Sequence, residues 1–219
     1  MKVYIIAIQR HELSLRAGHA ALASAHAYGY EAEIFNAYTG HNGRRYLESQ
    51  RLKLREGQKP HSLGSTGCFA SHHRLWRMCA SLDTPIVIAE HDALFVRSWP
   101  NPSWQDVLHL NWEGSSVRHT KGFDRLGDAY APCQDDSVYR HGFEPYDWPG
   151  WVTMSCNYAY ALKPSAARLL LEDAREHGWF YADRIIREPL VTIETIHPAI
   201  AVEQEIALTL SLTKGRGAD

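Results

Sequence analysis

Residues 86–96 read Ile-Val-Ile-Ala-Glu-His-Asp-Ala-Leu-Phe-Val, an apolar run that meets two acidic residues, Glu90 and Asp92. The apolar part is typical of a strand that is buried on both faces of a mainly parallel sheet. Ligands bind such sheets at the carboxyl ends of the strands, where Glu90 and Asp92 would lie. Their carboxylates could hold a divalent cation against a diphosphate. The stretch therefore predicts either a metal corner for a nucleotide-linked substrate or an exposed acidic turn.

The composition of the chain favours one globular domain. Its 219 residues are 45% hydrophobic and 22% charged, which is ordinary for a protein with a sizeable core. A net charge of -2 disfavours general electrostatic binding of nucleic acid. The cysteines form no Cys-x-x-Cys pair, so neither a zinc ribbon nor a disulfide framework is expected. Apolar runs are too short for a membrane helix or a signal peptide, which predicts a cytoplasmic protein.

The first half of the chain has the pattern of a β-α-β unit. Apolar periodicity predicts a strand at 3–8, a helix at about 12–28 and a short strand at 31–35. This order predicts a parallel, doubly wound sheet. Asn42-Gly43 indicates a turn before a basic helix, and the glycine-rich residues 63–67 indicate a loop before a helix at 68–82.

The second half predicts further strands and one helix. The expected elements are a strand at 106–111, an irregular segment at 112–150, a strand at 151–162, a helix between Pro164 and Gly178, and an extended segment at 190–202. We expect one domain over residues 1–210 and a disordered tail at 211–219.

Several motifs occur in a fixed order along the chain. They are the strand and turn at 4–10, Phe35-Asn36-Ala37-Tyr38-Thr39-Gly40, Gly64-x-x-Gly67-Cys68-x-x-Ser71-His72 with Trp76, Ile88-Ala89-Glu90-His91-Asp92-Ala93-x-Phe95, and Asn157-Tyr158-Ala159-Tyr160-Ala161-Leu162 before Pro164. In this order they resemble glycosyltransferase family 25, which includes bacterial lipooligosaccharide sugar transferases and collagen galactosyltransferases. The resemblance extends over roughly residues 1–205.

The resemblance implies a GT-A-like α/β fold and transfer of a sugar, with inversion, from a nucleotide-sugar donor, with a UDP-sugar favoured. It also implies a divalent metal, Mn²⁺ or Mg²⁺, held by Asp92 and Glu90. The usual run in the family is Glu-Asp-Asp, and His91 replaces its middle acid in this chain. His91 therefore marks a departure that bears on metal dependence. Its side chain should point away from Glu90 and Asp92 if the strand continues.

An inverting transfer needs a base that takes the proton of the acceptor hydroxyl. Asp183 matches the acidic position that follows the helix in the family and is the first candidate. Its alternative role is an amino-terminal helix cap before Arg184. Asp147 and Glu144, in the aromatic segment, are further candidates for the base.

Other side chains are predicted to contact the donor. They are Gln9 and Arg10 after the first strand, and Thr66 and Ser71 near the predicted helix start, where phosphate binds well. His197 is a candidate ligand of the metal or the diphosphate, with a structural role as the alternative. His72 lies on an apolar stripe and is predicted to be a hydrogen-bonded core histidine.

The sequence leaves the identity of the acceptor undecided. The family favours a lipooligosaccharide or another glycan, whereas the basic residues between 44 and 59 also allow a hydroxymethylated base of phage DNA. A different class is a degenerate, non-catalytic module that binds glycan or nucleotide. A metal-dependent hydrolase that uses His72, His73, His91 and Asp92 is disfavoured, because the adjacent helical side chains of His72 and His73 point about 100° apart.

Overall fold

The computed structural model describes residues 1–59, 62–110, 137–140, 152–154 and 158–204. The predicted α/β fold class is confirmed: these residues form a single unit with a mainly parallel sheet flanked by helices. The boundary at residue 210 stays a prediction, and the tail at 211–219 lies outside the described residues. Within the described ranges, no helix combines the length and the apolarity that a membrane crossing requires.

The first half contains β1 (Lys2–Ala7), α1 (Glu12–Ala27), β2 (Glu31–Asn36), α2 (Gly40–Ser49), α3 (Leu63–Leu82), β3 (Ile86–Glu90), β4 (Ala93–Phe95) and β5 (Val107–His109). The second half contains β6 (Ser137–Arg140), β7 (Val152–Thr153), β8 (Ala159–Leu162), α4 (Pro164–His177), α5 (Ala182–Ile185), β9 (Arg187–Glu188), β10 (Ile193–His197) and β11 (Ala201–Glu203). Pro164 opens α4 and Gly178 caps it, as predicted.

The main sheet has the strand order β2-β1-β3-β8-β5-β10-β6. Strands β1, β2, β3, β5 and β10 run in one direction, and β8 and β6 run in the other. The carboxyl ends of β1 and β3 are neighbours, because Ile6 pairs with Glu90. Ile86 and Ile88 face α3 and α4, while Val87 and Ala89 face α1. The continuous apolar run of β3 follows from this burial on both faces.

Two predicted boundaries were wrong at the starts of helices. Residues 63–67 are not a loop, because α3 begins at Leu63, where Ser62 accepts a hydrogen bond from the backbone of Ser65 at 3.2 Å. Gly67 belongs to the helix, and a Cβ there would lie 2.9 Å from the carbonyl carbon of Thr39. Its glycine therefore serves close packing rather than a turn. Asn42 and Gly43 likewise lie inside α2, where Asn42 completes a capping box with Thr39.

A buried ion pair connects α4 to the rest of the molecule. The Asp173 carboxylate accepts two hydrogen bonds from Arg187, at 2.6 and 3.0 Å, and a further one from Arg55. Burial alone would raise the pKa of Asp173, but the bonds and charges of Arg187 and Arg55 outweigh burial and lower it. Arg55, one of the predicted basic residues, is thus used inside the fold.

Candidate active site

Glu90 and Asp92, called the acidic corner below, lie where β3 ends beside α3. Glu90 is the last residue of β3, and its backbone nitrogen donates to Tyr158 O at 2.7 Å. Its Oε1 lies 3.2 Å from His72 Nε2 and 3.8 Å from Cys68 Sγ. Cys68 and His72 are four residues apart on α3 and so share one face of that helix. The side chain of Glu90 is 29% exposed, which leaves it reachable for a ligand.

A chain of buried polar groups holds Glu90 in place. Trp76 Nε1 donates to Tyr160 Oη at 2.8 Å, and Tyr160 Oη lies 2.9 Å from His72 Nδ1. The indole can only donate, so the tyrosine proton is free to point at His72 Nδ1. His72 then carries its proton on Nε2 and donates it to Glu90. His72 is therefore buried and hydrogen-bonded, as predicted, but its partner is a residue of the site.

The pKa values of Glu90 and Cys68, the two groups beside His72, shift in opposite directions. Burial would raise the pKa of Glu90, but the hydrogen bond and charge of His72 outweigh it, so this pKa is lowered. Burial, followed by the charge of Glu90, raises the pKa of the Cys68 thiol well above its ordinary value. The corner therefore presents an ionised carboxylate beside a protonated thiol.

Asp92 contributes a second carboxylate. Its Oδ1 is buried without a hydrogen-bond partner among the described residues. Burial, followed by the charge of Glu90, raises the pKa of Asp92 to about 8. A divalent cation would supply the missing partner of Oδ1 and offset the repulsion from Glu90. The residues present thus fit the oxygen-liganded Mn²⁺ or Mg²⁺ that the resemblance implies.

Gln204, which follows β11, holds the turn at residues 91–92, called the acidic turn below. Its backbone nitrogen donates to Asp92 O at 2.8 Å. Its side-chain Nε2 lies 3.0 Å from Ala93 O and 3.1 Å from both His91 O and Ala17 O. The sequence did not predict this role, because a lone glutamine far along the chain carries no periodic or spacing signal.

His91 lies on the opposite face of the turn from Glu90. A Cβ at Gly18 of α1 would lie 3.9 Å from His91 Cβ, so His91 packs toward α1, whereas Glu90 points to α3. Burial lowers the pKa of His91 and so favours its neutral form. β3 ends at Glu90 and residues 91–92 form a turn, so the continued strand on which the prediction depended does not form, but the packing of His91 toward α1 still disfavours His91 as an additional ligand beside Glu90.

Asp183 lies close enough to Glu90 and His72 for their charges to affect its pKa. It lies in the first turn of α5, which packs against α3. Tyr181 is the N-cap of α5, so the alternative role of Asp183 as a helix cap was wrong. Burial raises the pKa of Asp183 to about 6; the charge of Arg184 opposes this rise and that of Glu90 adds to it. Arg184 Nη1 is buried with no hydrogen-bond partner in the described part of the chain.

Of the residues predicted to contact the donor, two are exposed and two are buried in α3. Gln9 and Arg10 are exposed in the turn after β1, at the same sheet edge as Glu90. Thr66 is buried in α3. Ser71 is not at a helix start but in the third turn of α3, where its hydroxyl donates to Gly67 O at 2.8 Å and accepts from Tyr38 N at 2.9 Å. This arrangement favours a positioning role for Ser71 over direct donor contact.

The remaining predicted residues do not join the corner in the described structure. His197 ends β10, which β8 and β5 separate from β3. At a strand spacing of about 4.8 Å, the two strands lie roughly 14 Å apart. Asp147 and Glu144 lie outside the described residues. Trp76 and Tyr160, which orient His72, belong to the quoted motifs, but the sequence alone assigned them no role.

The comparison with family models decides the affiliation of the chain. The model of glycosyltransferase family 25 (LPS biosynthesis protein) matches residues 1–111, just over half of the sequence. The chain belongs to glycosyltransferase family 25. The matched part of this family 25 chain includes Cys68, His72, Glu90 and Asp92, whereas Asp183 and Gln204 follow it.

Two solved structures are similar to this family 25 chain. One is a Drosophila galactosyltransferase 7 mutant in complex with manganese, UDP-Gal and xylobiose; it is 9% identical with a TM-score of 0.34, and the match covers 77% of this chain and 51% of that one. The other is mouse xyloside xylosyltransferase 1 in its apo form, 10% identical with a TM-score of 0.36 and coverages of 84% and 80%. The chain spans about half the length of the Drosophila enzyme. No curated protein matches it significantly.

Proposed function

We propose that this family 25 chain is an inverting glycosyltransferase that uses a nucleotide-sugar donor, with a UDP-sugar favoured, and a divalent metal. The observation that supports the proposal is the burial of Asp183 close enough to Glu90 for the charge of Glu90 to raise the pKa of Asp183. A metal site for a diphosphate and a nearby group with a pKa of about 6 are the two parts that such a reaction needs.

The reaction forms one bond and breaks another at the anomeric carbon of the donor sugar. The acceptor hydroxyl oxygen attacks this carbon, and its proton passes to the carboxylate of Asp183. The bond between the carbon and the diphosphate oxygen breaks, and the nucleoside diphosphate leaves with the electron pair. A base near neutral pKa suits this role, because it is ionised at pH 7 and still accepts a proton.

The reaction also requires that the negative charge on the leaving group be neutralised. When bound, Mn²⁺ or Mg²⁺ neutralises the charge that develops on the diphosphate. Asp92 and Glu90 would hold the ion, and the guanidinium of Arg184 would add a fixed positive charge beside Asp183. Gln9, Arg10 and Thr66 remain proposed donor contacts, whereas the separation of β10 from β3 disfavours His197 as a ligand of the ion at Glu90 and Asp92.

The exposed arginines favour an anionic acceptor. Arg45, Arg51 and Arg74 are exposed, and α2 packs against α3 on this side of the molecule. We propose a lipooligosaccharide or a related phosphate-bearing glycan as the acceptor. Hydroxymethylated DNA is the second candidate, and transfer to it would fall steeply with salt. Turnover on free neutral oligosaccharide alone would contradict the DNA version.

The test combines a transfer assay with a binding assay. A panel of nucleotide sugars is incubated with Mn²⁺, with and without acceptor, and release of the nucleoside diphosphate is measured. We expect Asp183→Asn to keep metal-dependent stabilisation by UDP in thermal shift but to lose transfer, and Asp92→Asn to lose both. Asp83→Asn, at the far end of α3, is the matched control. If no nucleotide stabilises the protein, the chain is a non-catalytic module instead.

A further inference from the structure

The groups around Glu90 Oε1 differ chemically from those around Asp92. Cys68 offers a sulfur, His72 a ring nitrogen and Glu90 an oxygen, and these three ligand atoms all lie within 4.8 Å of one another. Sulfur and imidazole ligands are those that Zn²⁺ takes in proteins, whereas Mn²⁺ and Mg²⁺ prefer oxygen. The proposed transferase chemistry uses Glu90 and Asp92 but leaves Cys68 without a role.

Two of the three separations match a tetrahedral ion. With Zn–S near 2.3 Å and Zn–N and Zn–O near 2.0–2.1 Å, tetrahedral angles put the nitrogen and oxygen about 3.3 Å apart and the sulfur and oxygen about 3.6 Å apart. The structure has His72 Nε2 at 3.2 Å and Cys68 Sγ at 3.8 Å from Glu90 Oε1. These two separations lie within about 0.2 Å of the tetrahedral values, and the ligand atoms of Cys68 and His72 lie within 4.8 Å of each other.

The surroundings orient the imidazole as a metal ligand requires. Ligand histidines usually donate their second ring N–H to a neighbouring oxygen, which fixes the ring. Tyr160 Oη lies 2.9 Å from His72 Nδ1, and Trp76 holds this oxygen from its other side. His72 and Tyr160 are 1% and 0% exposed, so this support is rigid and shielded from water.

We propose that Cys68, His72 and Glu90 form a zinc site within the acidic corner, which shares Glu90 with the oxygen-liganded position proposed for Mn²⁺ or Mg²⁺ at Asp92. Binding exchanges protons in a defined way. The Cys68 S–H proton goes to solvent and the thiolate binds the ion. The His72 proton moves from Nε2 to Nδ1 and forms a hydrogen bond to Tyr160 Oη, and the hydroxyl proton of Tyr160 rotates away from His72. Solvent takes the fourth position, as in other zinc sites with three protein ligands.

Co²⁺ substitution tests the site without relying on activity. The full-length, metal-stripped protein is titrated with Co²⁺, and the thiolate-to-cobalt charge-transfer band is recorded. We expect this band in the wild type and in Cys79→Ser, because Cys79 lies farther along α3 and contacts the carbonyls of Thr84 and Leu162. Cys68→Ser should lose the band and bind Zn²⁺ at least roughly 100-fold more weakly, since loss of outer partners alone costs 10–100-fold.

A measurement on the wild type covers the case in which Cys68→Ser does not fold. X-ray absorption at the zinc edge should show one sulfur at about 2.3 Å together with nitrogen and oxygen ligands. A shell of nitrogen and oxygen only, or a Cys68→Ser protein with unchanged Zn²⁺ affinity, would overturn the zinc site. Transfer supported by Mn²⁺ in the zinc-free protein is measured separately, so failure of the zinc site and failure of the transferase proposal are distinguishable.

Discussion

The Tyr160 hydroxyl is a single group on which the orientation of Glu90 depends. It lies between two buried nitrogens, Trp76 Nε1 and His72 Nδ1. The quoted motifs contained all three residues, yet spacing along the chain could not show that a helix and a strand would bring them together. The same limit applies to Cys68, which the sequence shows only as one of four dispersed cysteines.

Replacing Tyr160 by Phe tests this arrangement. The variant leaves the Trp76 N–H without its acceptor, so we expect the free energy of unfolding to fall by about 1–3 kcal/mol. Sugar transfer should also fall, because His72 no longer has a fixed tautomer. Both are measured, by urea denaturation and by kcat/KM. The control is Tyr30→Phe, which removes a hydroxyl that donates to Arg97 O at 3.1 Å and should leave transfer unchanged. Wild-type transfer by Tyr160→Phe would contradict this role.

The pH dependence of transfer tests Asp183. Its pKa is raised to about 6, and a general base acts only when it is ionised. We therefore expect kcat to fall as the pH drops through about 6 and to level off above it. The pH profile of the residual activity of Asp183→Asn should lack this step. An identical step in Asp183→Asn would assign the titration to another group.

Among the elements, the strands of the first half were easier to predict than the order of the sheet. The buried run of β3 and the β1-α1-β2 unit follow from apolar periodicity. Strand β8 could not be placed this way, because it runs antiparallel between β3 and β5 and periodicity carries no information about neighbours. The start of α3 was misplaced because its glycines suggest a loop, whereas close packing of Gly67 requires one of them.

The ion pairs of Asp173 in α4 make the stability of the fold depend on pH in the acidic range. The folded pKa of this residue is depressed, so its stabilising contribution is complete above the unfolded pKa of about 3.9. The contribution is lost as the pH falls through the lower, folded pKa. We expect the Tm of Asp173→Asn to be lower than that of the wild type at pH 7, with the difference shrinking toward pH 3. Glu172→Gln, on the exposed side of α4, is the control and should leave the Tm unchanged at both pH 7 and pH 3.

In the whole molecule, the site is assembled from distant parts of the chain. Residues 68–92 supply Cys68, His72, Glu90 and Asp92, whereas Asp183 and Gln204 come from the last part of the described structure. The sequence predicted the acidic pair from the apolar strand that precedes it, and Asp183 through the family resemblance. It gave no means of finding Gln204, since its partners are backbone carbonyls that no residue pattern reveals.

Removal of the Gln204 side chain tests this long-range connection. Gln204→Ala loses the contacts to the carbonyls around Asp92, so the acidic turn should become more mobile. We expect metal-dependent UDP binding to weaken by about tenfold, equivalent to 1.4 kcal/mol, as measured by calorimetry. Gln105→Ala removes an exposed glutamine side chain and is the control. If Gln204→Ala binds UDP and metal as the wild type does, the turn is rigid without this side chain.

The Gln204 contacts also set an order of events during synthesis on the ribosome. Gln204 follows His91 by 113 residues, and domains form as the chain emerges from its amino terminus. The β1-α1-β2 unit and β3 can therefore pair while the turn that follows β3 is still unsupported. The support that Gln204 gives to the acidic corner is therefore available only after β11 has emerged. Premature termination before this point would leave a product with paired strands but an unsupported acidic turn.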